Sequence, residues 1–217
     1  MNGKKVVIPL FLLAIAAVVG GFLGRLAHRP APRCQGHASA FSDYPFTADT
    51  TIAGKEFTSH GETFASCMAL RSDVSSAPGV TVSAIVRYDK GVMWTLFPNF
   101  RYVETPIAKG TDVLSLLREK GARVEKQDAG PAQVGSYACE KYHVKVSVNG
   151  HTGSGWIWVA QRKDLHGFIV QAKDDASGIT ITLSHIELGA PPSSLFDLPK
   201  GEQRMQPGWI PVNGARP

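Results

Sequence analysis

The chain of 217 residues is poor in the features that most catalytic and nucleic-acid-binding proteins display. It has three cysteines, Cys34, Cys67 and Cys139, too few for a disulfide-stapled scaffold. Gly153, Ser154 and Gly155 do not form the Gly-x-Ser-x-Gly elbow of a serine hydrolase. Thr152-Gly153-Ser154-Gly155 has no lysine to complete a phosphate loop. Of the seven histidines, His60, His151, His166 and His185 have no neighbouring ligand at a recognised spacing. Cys139 and His143, four apart, would stand about 13 Å from each other on a strand, too far to share an ion. A non-catalytic protein without metal or cofactor is therefore expected.

Acidic residues are missing from the first 34 positions, which hold Lys4, Lys5, Arg25, Arg29 and Arg33. Those five account for the whole formal charge of +5, and residues 35–217 carry 18 charges of each sign. The basic balance belongs to one terminus, so phosphate neutralisation has no footprint and nucleic acid is excluded as a partner.

What the N-terminus does have is a run of 19 uncharged, mainly apolar residues, 6–24, preceded by Lys4 and Lys5. At about 1.5 Å per residue it just spans a bilayer core. Ala38-Ser39-Ala40, the better processing site, lies well past Gly24 and beyond three arginines, which favours an uncleaved transmembrane anchor over a signal peptide. Residues 1–5 are then a short tail. Residues 25–45, with Pro30, Pro32, Gly36 and Pro45, form a tether. A single domain is expected over 46–203, and 204–217 is a C-terminal tail.

The domain is dominated by period-two alternation. Tyr142, Val144, Val146 and Val148 alternate with Lys141, His143, Lys145 and Ser147, and Asn149-Gly150 supplies a hairpin turn. Trp156, Trp158 and Ala160 are assigned to the apolar face of the next strand. Phe168, Val170 and Ala172 continue on a third, and Ile179, Ile181 and Leu183 on a fourth. Upstream, Val82, Ala84 and Val86 lead into a turn at Asp89-Lys90-Gly91, and Val92, Trp94 and Leu96 lead away from it. One helix is expected from Thr111 to Gly121, capped by Thr111, with Val113, Leu114, Leu116 and Leu117 as its stripe. Residues 192–196 read as a single helical turn. The fold class is mainly β (α+β): a curved antiparallel sheet of seven to ten strands forming a half-barrel. One or two helices lie on its concave face, preceded by one N-terminal transmembrane segment.

Asp89, Trp94, Leu96, Pro98, Tyr102 and Glu104, then Gly135, Tyr137, Cys139, Lys141 and Tyr142, then Trp156 and Trp158, and finally Leu195-Phe196 with Pro199-Lys200-Gly201, resemble an uncharacterised family of envelope proteins. That family is similar to the LolA/LolB type of lipoprotein carriers and receptors. The resemblance implies an eleven-stranded half-barrel closed by a helical lid, with an apolar cavity that receives acyl chains. It places the main domain in the periplasm, tethered to the inner membrane by a single pass, or secreted there if residues 6–24 are removed.

The expected function is binding of a lipid, acyl chain or other hydrophobic ligand without covalent chemistry, in a cavity lined by Trp94, Leu96, Tyr142, Val144, Trp156, Trp158, Phe168 and Ile181. The competing reading is an interaction module with a filled core that docks an envelope protein partner. Two states are open for the cysteines. Cys67 and Cys139 are the one pair inside the domain and form a disulfide, with Cys34 free or bridged between chains, or the thiols stay buried and unpaired.

Overall fold

The computed structural model describes residues 33–34, 39–77, 80–99, 101–107, 113–117, 121–165 and 167–205. The apolar run 6–24 and its flank lie outside the described residues. Among the described residues twelve strands form one sheet, more than the alternation alone suggests. Six make a first meander: β1 (Phe46–Ala53), β2 (Thr58–Ala65), β3 (Ala69–Ala77), β4 (Val80–Arg87), β5 (Val92–Phe97) and β6 (Arg101–Pro106). Five make a second: β7 (Arg123–Val134), β8 (Tyr137–Val148), β9 (His151–Ala160), β10 (Ile169–Asp174) and β11 (Thr180–Leu188). β11 pairs antiparallel with β1 and joins the two meanders, while β12 (Gln203–Met205) returns to pair parallel with β6. The order is β12-β6-β5-β4-β3-β2-β1-β11-β10-β9-β8-β7, an open sheet with β12 and β7 at its edges.

Local chemistry explains the turns. Asn149 and Gly150 both have positive φ, 51° and 82°, as a two-residue hairpin of the primed type requires. In β7, Gly130 at φ 83° accompanies a register shift between Asp128 and Pro131, which admits a proline into a long strand. Opposite that shift the burial of β8 changes phase: Tyr137 and Cys139 are buried at one end, and Val144, Val146 and Val148 at the other.

The helix expected from Thr111 to Gly121 is described only in its middle, and its flanks 111–112 and 118–120 lie outside the described residues. Among the described residues it spans Val113–Leu117 (α1), and its Val113 N–H is taken by the Asp174 carboxylate at 3.1 Å. Thr111, the expected cap, lies outside the described residues. The turn expected over 192–196 is present as a 3-10 turn, Ser193–Phe196.

Neither of the two states left open for the cysteines is found as such: Cys67 and Cys139 do not pair, and Cys67 is not a free thiol. Cys34 is bonded to Cys67 in the turn between β2 and β3, and Cys139 is a buried free thiol. Sulfur reach decides the pairing: Cys34 and Cys67 have Cα atoms 5.3 Å apart, whereas Cys139 points into the core and donates to the Tyr137 carbonyl. Burial pushes its thiol up from the ordinary cysteine range.

Candidate ligand-binding face

Cross-strand partners share a face, so the register sorts the side chains into two sets. One row runs Tyr142, Ile157, Ala172, Ile181, Ile52, Ser59 from β8 to β2. The next runs Lys141, Trp158, Gln171, Thr182, Thr51, His60, Ser75. The first is apolar and faces α1, which meets β8, β9 and β10. We call this the inner face.

The inner face differs between its halves. On β8 to β11 it is bulky: Val144, Val146, Ile157, Val170, Ile181 and Leu183 are buried, with Val113, Leu114 and Leu116 of α1 in the same core. Phe168 lies there too, its ring edge-on to Phe46 with centroids 4.8 Å apart. On β1 to β6 the corresponding row is Ala48, Thr63, Ser72, Ala84, Thr95 and Val103, small and buried. Thr50 and Thr63 satisfy one another at 2.6 Å. The Ser72 hydroxyl, 1% exposed, and the Thr105 hydroxyl have no hydrogen-bond partner among the described residues.

Of the eight residues expected to line one cavity, Tyr142, Val144, Phe168 and Ile181 are together on the inner side, and four are elsewhere. Trp156 and Trp158 face outward. The Lys141 ammonium stands over both rings, 4.1 and 5.0 Å from their centroids, and His143 packs on Trp156 at 4.8 Å. Their neighbours Gly155 and Ile157 are the ones buried.

Trp94 and Leu96 also lie on the outer face, in rows Thr47, Phe64, Arg71, Ile85, Trp94, Glu104 and Asp49, Glu62, Asp73, Ser83, Leu96, Tyr102. They are buried because the C-terminal segment crosses back over them. Phe64, Ala69, Ile85, Trp94, Leu96 and Phe196 form a second core, flanked by Leu195 and Leu198. Arg71 donates to the Leu195 carbonyl and Arg87 to the Phe196 carbonyl, both at 3.0 Å. The Trp94 indole N–H donates to Glu104 at 2.9 Å, and Glu104 pairs with Arg204 of β12 at 2.9 Å. The Leu195-Phe196 pair was visible as sequence; that it roofs strands about a hundred residues earlier was not.

An open polar depression of about 730 Å³ lies by β7 to β9 and the β10–β11 turn. Here Asp175 accepts from Ser154 Oγ and bonds His143 Nε2, each at 2.8 Å. The carboxylate sits between hydroxyl and imidazole, so the imidazole is not placed to take the hydroxyl proton as a nucleophilic relay requires. Burial pushes the Asp175 carboxyl up, but hydrogen bonds from His143 and Ser154 and the charges of His143 and Lys173 outweigh it and hold it below the ordinary range. Among the described residues no three His, Cys, Asp or Glu side chains are placed to hold a metal ion.

Glu62 is held above the ordinary range, first by burial and then by Asp49 and Asp73 on either side of it, and its Oε2 has no partner among the described residues. A carboxyl with a raised folded pKa contributes stability that is full below its unfolded pKa and lost as pH rises through the folded one. Ionised Glu62 therefore opposes folding at neutral pH. Glu62→Gln is expected to raise the urea midpoint at pH 7, the gain vanishing below about pH 4; a lowered midpoint at pH 7 would contradict it.

No family model matches the chain, and no curated protein matches its sequence. Among solved structures, the Mycobacterium tuberculosis lipoprotein LppX aligns over 67% of this chain and 88% of its own, at 16% identity and TM-score 0.42. A LolA superfamily protein from Nitrosomonas europaea aligns over 77% of this chain and 98% of its own, at 12% identity and TM-score 0.38. The chain is thus similar in structure, at low sequence identity, to a LolA superfamily protein and to a lipoprotein.

Proposed function

We propose that the domain is a non-catalytic carrier or holder of a lipid, acyl chain or other hydrophobic ligand, seated in a half-barrel on the inner face over β1 to β6. The observation that carries this reading is the asymmetry of that face. Among the described residues α1 has five residues, about 7.5 Å of helix, and these sit on the bulky β8 to β10 half. The row of Ala48, Thr63, Ser72, Ala84 and Thr95 on the other half is small and is covered even without a ligand, so an acyl chain would enter by displacing what covers it. Each methylene buried there contributes about 0.8 kcal/mol, and the Ser72 hydroxyl can donate to an ester or carboxyl oxygen. The pocket residues then shift from the tryptophans to Leu70, Ser72, Ala84, Val86, Met93 and Thr95, with Tyr142 and Ile181 across the sheet. The disulfide suits an oxidising compartment outside the cytoplasm, and residues 6–24 serve as the single-pass anchor.

The test is native mass spectrometry with lipid extraction on the chain from residue 30 onward, which keeps Cys34–Cys67, secreted into an oxidising compartment. A stoichiometric acyl adduct is expected. Ala84→Phe should abolish the adduct and leave the thermal melt within a few degrees, because the added ring fills ligand space. A bare mass from the parent chain, or an Ala84→Phe chain that fails to fold because the site is packed core, counts against the carrier and for a docking module.

A further inference from the structure

The described chain enters the sheet at one end. Cys34 is bonded to Cys67 in the β2–β3 turn, its N–H donates to the Asp43 carbonyl at 2.9 Å, and Arg33 pairs with the Asp43 carboxylate. Phe41 is already in the core. The same end holds the β4–β5 turn, whose Tyr88 N–H donates to the Met68 carbonyl, and the exit of β6, where the Ile107 N–H donates to the Gly91 carbonyl, both at 3.0 Å.

Four large apolar side chains are exposed among the described residues. Met68 (55%) and Ile107 (36%) are at this end, and Val80 (46%) and Val124 (36%) at the opposite one. Apolar exposure does not choose between the ends. The path of the chain does, because Cys34 is ten positions after Gly24, with nine residues between them, a reach of at most about 35 Å when fully extended. A nine-residue strand such as β3 sets the far end roughly 30 Å further off.

We propose that the Cys67 end of the sheet is apposed to the bilayer entered by residues 6–24, with Met68 and Ile107 reaching the headgroup layer. This rests on residues 6–24 being an uncleaved anchor. Met68 is an unbranched side chain that adapts to an irregular apolar environment. Lys90, in the adjoining turn with its ammonium 5.2 Å from the Trp94 ring centroid, can lay its stem along apolar surface and present its charge to lipid phosphates. The short tether supplies the rest, since it holds this rim at high effective concentration next to one surface.

A photoactivatable benzophenone amino acid placed singly at positions 68, 107, 80 and 124 of the full chain tests this. The chains are reconstituted into phosphatidylethanolamine and phosphatidylglycerol vesicles, irradiated and weighed. Lipid adducts at 68 and 107 are expected to exceed those at 80 and 124 by about fivefold or more, the advantage of a short tether. Equal yields at the two ends, a preference for 80 and 124, or chains that do not remain with the vesicles overturn it. These outcomes are separable from ligand binding, which is read on the chain from residue 30 onward in the absence of any bilayer.

Discussion

Gly155→Val is expected to lower stability by about 3 kcal/mol or more, the upper range for forcing atoms into a filled core, and to leave little folded chain at 37 °C. A Cβ on Gly155 would stand 2.3 Å from the Lys173 carbonyl oxygen, 2.9 Å from Val113 Cγ1 and 3.3 Å from Asp174 Cα. Two of these three obstacles are backbone of β10 and cannot swing aside. The third is the first residue of α1, fully buried against the strand. One missing side chain thus lets β9 approach β10 and lets the helix descend onto the sheet. Urea denaturation followed by far-UV circular dichroism measures the cost. Adding Val113→Ala to the same chain should recover little, because the nearer contact is the carbonyl. Full recovery would mean that the helix, and not the strand, sets the requirement for glycine.

The same glycine shows why the sequence was legible in part. Alternation in Val144, Val146 and Val148 was readable because the intervening Lys145 and Ser147 are polar, so period and phase come together. In Gly155-Trp156-Ile157-Trp158-Val159 both alternating sets are apolar, and periodicity then gives the strand without saying which face is inward. Size favours the tryptophans for the core, yet their cross-strand partners Lys141, His143, Gln171 and Lys173 are polar, and it is these that mark the wet side. Register, the information that was missing, depends on which strands are neighbours.

Trp94 and Leu96 were obscured for a different reason. Their face is apolar because residues 195–198 return to cover it, and nothing in the local pattern announces a roof so distant in sequence. The disulfide was hidden similarly, since Cys34 lies in a stretch that reads as tether, and only its bond to the Asp43 carbonyl and its place against the β2–β3 turn bring it to Cys67. The hairpin at Asn149-Gly150 and the 3-10 turn near Pro192 are governed by their own residues, and both were readable.

Arg71 is one of two guanidiniums that hold the roof, the other being Arg87. Arg71 donates to both oxygens of Asp73, Nε to Oδ1 at 3.0 Å and Nη2 to Oδ2 at 3.1 Å, and uses Nη1 for the Leu195 carbonyl. Asp73 is 8% exposed. Arg71→Ala would leave that carboxylate with its main counter-charge gone and with Glu62 beside it in the row, and would release a carbonyl of the covering segment. Removing one member of a buried pair costs about 3–5 kcal/mol, and a loss near the lower figure is expected because the guanidinium itself is partly exposed. Trp94 fluorescence should redden as the segment over it loosens. Arg71→Met with Asp73→Leu should recover most of the stability, because no uncompensated charge remains and Glu62 loses a like-charged neighbour. If the double variant is as unstable as Arg71→Ala, the bond to Leu195 is the larger contribution. The strap is then held chiefly by its backbone, a result that would direct the next substitutions to Arg87 and its bond to the Phe196 carbonyl.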